Sequence, residues 1–448
     1  MKIEQFEDKG LAQYSYAVLS EGAREVVLID PARDPKPYYR FAKNSNSKIV
    51  GVVLTHSHAD FVSSHAEIQR KTGARIFVST HMGASFDHEK IEKGLVISFG
   101  KIKLKALYTP GHSFDSISVL LEHDGKDKAI FTGDTLFIGD VGRPDLRGNG
   151  ENTENMRRAL AKEMYYSIHN KLKKLSEDIV VYPGHGAGTL CGKSLSTDSS
   201  STMGREFKEN HALQDRSEED FIEILLENQP FIPPYFSYDV ALNKTGAKDL
   251  ETSLKEISSL KHEDDLGDAI IIDTRQEKEF KKGHLSGAIN IQNGEKFETW
   301  LGTIVSPDQQ FFLIAKDNSE LDGVIRKAAK IGYEANIKGA LVKGFFGHKE
   351  SQTFNVSDFK NNPSQYTVVD IRNIEETANE KLFENSINIS LPELQKKMKK
   401  IPTDKPVVVH CAGGYRSAIG SSILEKEFPQ TKVYDLSEAV KEFQGTKA

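Results

Sequence analysis

Thr55-His56-Ser57-His58-Ala59-Asp60-Phe61 follows the apolar run Ile49-Val50-Gly51-Val52-Val53-Leu54. The run reads as a buried strand, and the residues after it, through Arg70, pattern as a helix. Side chains two apart on an extended chain share a face, so His56, His58 and Asp60 converge on one point if the chain there is extended. Neutral imidazoles and a carboxylate are the usual ligands of zinc or a transition metal. A polar loop with incidental histidines is the competing reading, and the rest of the chain has to decide between the two.

Outward from this stretch, residues 1 to about 190 carry short β segments. They are expected at Glu25–Asp30, Lys48–Leu54, Arg75–Ser79, Leu95–Ser98, Ile102–Tyr108, Ser116–Glu122, Lys128–Thr132 and Ile179–Tyr182. Helical patterns fall at Ala59–Thr72, Glu154–Leu175 and Ser217–Asn228. The interleaving predicts two sheets packed face to face with helices outside. Ser194–Thr202 is a polar surface loop. Pro230–Tyr235 is a stiff proline-rich connector and a natural end to a first domain over 1–240.

Three more metal-type residues lie just past predicted strands. His112 stands in Thr109-Pro110-Gly111-His112-Ser113, Asp134 in Thr132-Gly133-Asp134-Thr135, and His185 in Pro183-Gly184-His185-Gly186. Glycine beside each lets backbone and ion approach closely. Four such sites at strand ends of one domain favour a metal centre over incidental histidines.

This ordering resembles the metallo-β-lactamase fold superfamily. The resemblance implies a four-layered αββα sandwich with metal at one edge, and most such proteins, the glyoxalase II hydrolases among them, hold two metals. The chain departs from the pattern after Asp60, where Phe61 stands in place of a histidine and cannot ligate. What remains suits one ion on His56, His112 and Asp134. Two imidazoles and a carboxylate with open positions form the facial triad of non-heme Fe(II) oxygenases, able to take O2 and a substrate sulfur together. His58, Asp60 and His185 then orient ligands and substrate by hydrogen bonds. A binuclear zinc hydrolase would instead use those three as strong ligands around a bridging hydroxide.

Gly142-Arg143-Pro144-Asp145, after the metal-type aspartate, is similar to the persulfide dioxygenases, which carry mononuclear iron and oxidise a thiol persulfide to sulfite. Arg143 and Asp145 are either an ion pair that shapes the pocket or substrate contacts. Cys191, just past the last metal-type loop, is a redox or persulfide-carrying thiol or a structural cysteine; no charged partner that would lower its pKa is visible in the sequence.

The remainder holds two blocks that look like copies. Ala269-Ile-Ile-Ile-Asp273-Thr-Arg275 recurs as Thr367-Val-Val-Asp370-Ile-Arg372, and Gly287-Ala-Ile-Asn290 as Ser386-Ile-Asn388. The period is too long for a solenoid and fits two small α/β domains, over 245–352 and 355–448. In the second block Cys411-Ala-Gly-Gly-Tyr-Arg416 follows a strand and opens a helix. Backbone N–H groups around the sulfur favour its nucleophilic thiolate, and Arg416 adds a cation for an anionic sulfur substrate. The loop resembles that of the rhodanese sulfurtransferases, with Cys411 as sulfur carrier; the Cx5R loop of phosphatases is the competing likeness. The first block keeps the rhodanese frame, including Gly283-His-Leu-Ser-Gly-Ala-Ile-Asn290. Its loop position reads Ala315-Lys-Asp-Asn-Ser-Glu320, with no cysteine, so it is expected to be catalytically inactive.

Composition sets the outer bounds. The 448 residues are 38% hydrophobic and 28% charged with a net charge of −6, which gives no electrostatic reason to expect nucleic acid or an anionic membrane. No apolar run approaches a spanning helix, and the charged start Met1-Lys-Ile-Glu lacks the core of a secretory signal, so the expected compartment is the cytoplasm. Two cysteines exclude a disulfide framework. The whole order resembles bacterial persulfide dioxygenase–rhodanese fusions of sulfide detoxification. That likeness implies one Fe(II) per chain, with a small-molecule persulfide, O2 and sulfite as partners, and a homo-oligomer is expected. Zinc is the alternative metal. The rival functions are a glyoxalase-II-like thioester hydrolase and a sulfur-relay or sensing protein without oxidation.

Overall fold

The computed structural model describes residues 1–92, 94–146, 153–263, 266, 269–342 and 349–444. The last four positions expected in the third domain, 445–448, lie outside them, as do four of the five residues 264–268 and the segment 343–348 of the second. The chain divides into two compact units, Met1–Ser253 with Ala329–Gly332, and Leu254–Ala328 with Tyr333–Ala448.

The first unit is built on two six-stranded sheets. One runs Lys2–Asp8, Gln13–Ser20, Glu25–Ile29, Lys48–Val53, Arg75–Ser79, Glu89–Ile91 in spatial order, antiparallel at first and parallel from Glu25 onward. The other runs Ser201–Thr202, Val180–Pro183, Lys126–Gly133, Ile117–His123, Ile102–Tyr108, Val96–Phe99. Alternation along the strands sends successive side chains to opposite layers. Val18, Val27, Ile29 and Val53 pack between the sheets against Leu104, Val119, Leu121 and Phe131. Their neighbours Val26, Leu28, Val52 and Leu54 point the other way, onto Tyr38 and Ala42 of helix Lys36–Asn44 and Ile68 of helix His65–Thr72. On the far side, Leu120, Ile130 and Val181 meet Ala161, Met164 and Ile168 of helix Thr153–Asn170 and Phe221 of helix Glu218–Leu226. These are the four αββα layers expected.

Two elements differ from the sequence expectation. The helix expected from Ala59 begins only at His65. Asn243, far along the chain on helix Tyr235–Thr245, donates through Nδ2 to the carbonyls of His58 and Phe61 and accepts from Ser63 N–H. These bonds take up backbone groups that a helix would have used. The same helix keeps the first unit going to Ser253, past the proline-rich connector and past residue 240.

The second unit holds a five-stranded and a four-stranded sheet. Ile270–Asp273 lies between Phe311–Ala315 and Ile289–Asn290, and Thr367–Asp370 lies between Val407–His410 and Ile387–Asn388, all parallel. The duplicated motif makes a duplicated structure. Arg275 folds back onto Asp273 and Arg372 onto Asp370, each with its Nη2 2.6–2.7 Å from the carboxylate. Asn290 Nδ2 bonds the carbonyls of Asp273 and Arg275, as Asn388 Nδ2 bonds those of Asp370 and Arg372.

Candidate metal centre and cysteine loop

His56 follows a strand of the first sheet, while His112, Asp134 and His185 follow strands of the second. The strand ends bring His56, His112 and Asp134 together, with one ligand atom from each within 4.8 Å of the others, and all three are buried. His56 Nε2 and His112 Nε2 lie 3.8 and 3.6 Å from Asp134 Oδ2, which accepts no hydrogen bond.

The tautomers are set by neighbours. Asp30 accepts from Thr55 N–H at 2.8 Å and from Thr55 Oγ1–H at 2.7 Å. Its own proton given to Asp30, Thr55 Oγ1 accepts from His56 Nδ1–H at 3.0 Å. His112 Nδ1 donates to the Arg143 carbonyl at 2.9 Å. Both bonds put the proton on Nδ1 and the lone pair on Nε2, as metal-binding histidines require. Asp115 accepts from Ser57 N–H and Oγ–H, both at 2.8 Å, and fixes the loop between His56 and His58. Burial alone would raise the Asp134 carboxyl; His185, His56 and His112 outweigh it and hold it well below the usual range. Two orientable imidazoles, one ionised carboxylate and a carboxylate oxygen without a hydrogen bond fit a divalent ion. Thr55→Val is expected to cost roughly 10–100-fold in metal affinity, read by competition with a chelator, because the anchor of His56 is lost.

Glycines make the close approach. A Cβ on Gly184 would stand 2.4 Å from Asp134 Oδ1, and one on Gly133 (φ +49°) would stand 2.4 Å from Thr55 Oγ1.

His185 lies between two carboxylates, Nδ1 2.9 Å from Asp134 Oδ1 and Nε2 2.7 Å from Asp60 Oδ2. Burial lowers its pKa, but the two carboxylates raise it well above the ordinary imidazole value. Asp60, His185 and Cys191 form a second buried group with ligand atoms within 4.8 Å. The place of Cys191 in it was invisible in sequence, since the loop that carries Cys191 has no strand to set its direction. Burial, then the charges of Asp60 and Asp134, push the Cys191 thiol well above its usual range, so it is a thiol and not a thiolate. Among the described residues His58 belongs to neither group. Its Nε2 is 2.9 Å from Asp30 Oδ1 and its ring packs on Phe61, centroids 4.3 Å apart. Phe61 therefore positions His58.

Arg143 is buried and held on every side. Its Nε and Nη2 meet the Asp145 carboxylate at 2.6 and 2.7 Å, and Nη1 and Nη2 reach the carbonyls of Leu190 and Pro230. Its own N–H donates to the Cys191 carbonyl. Of the two sequence readings of Arg143 and Asp145, the geometry matches the ion pair that braces the ligand loop. Asp145→Asn leaves a buried guanidinium unbalanced, with an expected loss of about 3–5 kcal/mol seen as an earlier first transition in thermal unfolding.

In the second unit Cys411 follows strand Val407–His410, and helix Tyr415–Glu427 starts four residues on. Its buried Sγ accepts from Gly414 N–H at 3.1 Å, with Gly414 at φ +109°. Arg416 is not left as a bare cation for substrate: Nη1 and Nη2 each bond the Glu376 carboxylate at 2.6 Å. Burial would raise Glu376, but Arg416 holds it below the ordinary range, so both partners are charged. This corrects the sequence expectation for Arg416. Glu376 stands on the short helix Ile374–Asn379, which nothing in the sequence tied to the loop.

Residues 9–185 match the model of the metallo-beta-lactamase superfamily, and 253–347 and 355–446 each match the rhodanese-like domain. A crystal structure of a metallo-beta-lactamase from Staphylococcus aureus is 32% identical, with a TM-score of 0.69 over 76% of this chain and 99% of that one. The chain belongs to the metallo-beta-lactamase superfamily. Its superfamily domain is 32% identical over 178 residues to a hydroxyacylglutathione hydrolase of Dictyostelium discoideum. It is 30% identical over 174 residues to the human mitochondrial persulfide dioxygenase ETHE1. Both likenesses take in 38% of this chain, which spans 61% and 63% of the length of those curated relatives. With the tandem rhodanese-like pair, this superfamily member has the domain order of a dioxygenase–rhodanese fusion and works in sulfur metabolism. Among the described residues no helix is long and apolar enough to cross a membrane.

Proposed function

We propose that the protein oxidises a low-molecular-weight thiol persulfide with O2 in the cytoplasm and hands sulfane sulfur through Cys411 to sulfite. The first reaction balances as R–S–SH + O2 + H2O giving R–SH, sulfite and two protons. In the second, a sulfane sulfur carried on Cys411 is attacked by sulfite, which releases thiosulfate and returns the Cys411 thiolate.

The observation that carries the first half is the triad His56, His112 and Asp134, set apart from His185, which sits between Asp60 and Asp134 within hydrogen-bond reach of both. A mononuclear Fe(II) held by that triad would supply open positions where O2 and a sulfur ligand meet. The chain's own residues do the rest. Thr55 and the Arg143 carbonyl hold the two imidazoles in their binding tautomer. His185 keeps Asp134 ionised and turned toward them. Phe61 and Asn243 fix the loop that carries His58 and Asp60. For the second half, Gly414 N–H supports negative charge on Cys411 Sγ, and the Glu376–Arg416 pair holds the loop end. The middle domain has no cysteine, so one sulfur carrier serves the chain.

Oxygen uptake by the iron-loaded protein with glutathione, coenzyme A or cysteine persulfide tests the proposal. Uptake with sulfite formation is expected; thioester cleavage without uptake would overturn it.

A second reading has its own observation. Asp60, His185 and Cys191 together could take a second ion, as a binuclear zinc thioester hydrolase would need. The likeness to a hydroxyacylglutathione hydrolase supports that reading, and the same assay separates the two.

A further inference from the structure

The middle rhodanese-like domain carries no cysteine, yet two of its side chains and one of its carbonyls reach the loop that holds Cys411. On one flank, Tyr415 of the loop donates its hydroxyl to the Gln292 carbonyl at 2.6 Å, and its ring edge lies against Gly294, where a Cβ would come within 3.1 Å. On the other flank stands Ser437, a non-glycine residue held at φ +51°. Gly414, whose N–H points at Cys411 Sγ, packs on it: a Cβ on Gly414 would lie 3.3 Å from Ser437 Oγ.

Ser437 is pinned from the middle domain. Its hydroxyl donates to Glu277 Oε1, and its N–H donates at 2.8 Å to Asp435, whose other carboxylate oxygen is 2.7 Å from Lys281 Nζ. The two flanks are joined within the middle domain, since Glu277 N–H donates to Gln292 Oε1 at 3.1 Å. A backbone conformation of that kind persists only where its surroundings over-determine it. Here the determinants of Ser437 include Glu277 and Lys281, from the domain without a nucleophile.

We infer that the middle domain is a fixed wall of the C-terminal active site, with Glu277 and Gln292 as positioning residues that hold Gly414 and Tyr415 so that the loop amides face Cys411. Neither residue touches the sulfur. Both act through the loop, one by way of Ser437 and the other by way of Tyr415. The inference rests on Cys411 being the sulfur carrier proposed above. It gives the cysteine-free domain a task beyond spacing: the active loop has its geometry only with both domains in place.

The test uses the full chain and its E277A, E277Q and Y415F variants, with K278A, an exposed neighbour on the same helix, as control. Thiosulfate serves as donor and cyanide as acceptor. Loss of one flank is expected to lower kcat about tenfold with KM for thiosulfate within about twofold, since sub-ångström misplacement of reacting groups is enough for such losses. E277Q, whose amide oxygen still accepts from Ser437, is expected to recover most of kcat, and K278A to match the parent. Deuterium exchange should quicken at 411–416 in E277A and Y415F. A fall in melting temperature with kcat and loop exchange unchanged would overturn the inference. If the parent chain moves no sulfur at all, the carrier role of Cys411 fails, and loop exchange alone then decides the positioning role, with unchanged exchange counting against it.

Discussion

His112→Ala is expected to abolish sulfite formation from a thiol persulfide while sulfur transfer from thiosulfate to cyanide stays within about twofold of the parent. His112 supplies one of three ligand atoms, and its Nδ1–H bond to the Arg143 carbonyl fixes its ring. Losing an outer hydrogen-bond partner costs a metal site roughly 10–100-fold, and losing a ligand outright costs more. Cys411 has its own support from Gly414 N–H, Glu376 and Arg416, and the two sites stand on separate compact units, so the effects should be independent. The measurement is a pair of assays on one preparation: O2 uptake with sulfite analysis, and thiosulfate:cyanide sulfurtransfer. Loss of both activities with the fold intact would contradict separate sites.

Cys411→Ser should do the reverse. A serine hydroxyl at this position can accept the Gly414 N–H but cannot carry a sulfane sulfur, so sulfurtransfer is expected to fall on the order of 10³-fold or more. Sulfite formation should continue, and the product should shift from thiosulfate to free sulfite. Thiosulfate yield per O2 consumed reads this directly. Unchanged thiosulfate from the variant would remove Cys411 from the reaction.

The parts of this site legible in the sequence are those that sit one or two residues past a strand. His56, His112, Asp134 and His185 each follow an apolar run and sit in or beside a glycine or threonine turn, and periodicity alone places them at one edge. The duplicated Asp-x-Arg and Asn positions were equally plain, because each pair is local in sequence and makes the same bonds in both domains. The supports of the ligands were not legible. Asp30, Asp115 and Asn243 carry no motif, and each reaches its partner from 25 to 185 positions away. The helix expected from Ala59 failed for that reason: local propensity was read correctly, but Asn243 captures the backbone of 58–63 first. Arg416 failed likewise, since its bond to Glu376 spans 40 positions and reverses the expectation of an unneutralised cation.

Phe61 keeps its weight, with a changed basis. It was taken as a missing ligand; in the structure it packs on His58, which turns to Asp30 and away from both ligand groups. Cys191 then joins Asp60 and His185 as the group a second ion would need. Whether one metal or two reside here is the claim on which the chemistry depends.

Metal analysis of protein purified and handled without oxygen tests it most directly. One iron per chain, lost on His112→Ala and retained on Cys191→Ser, is the predicted result. Two zinc ions per chain, with one lost on Cys191→Ser, would contradict it.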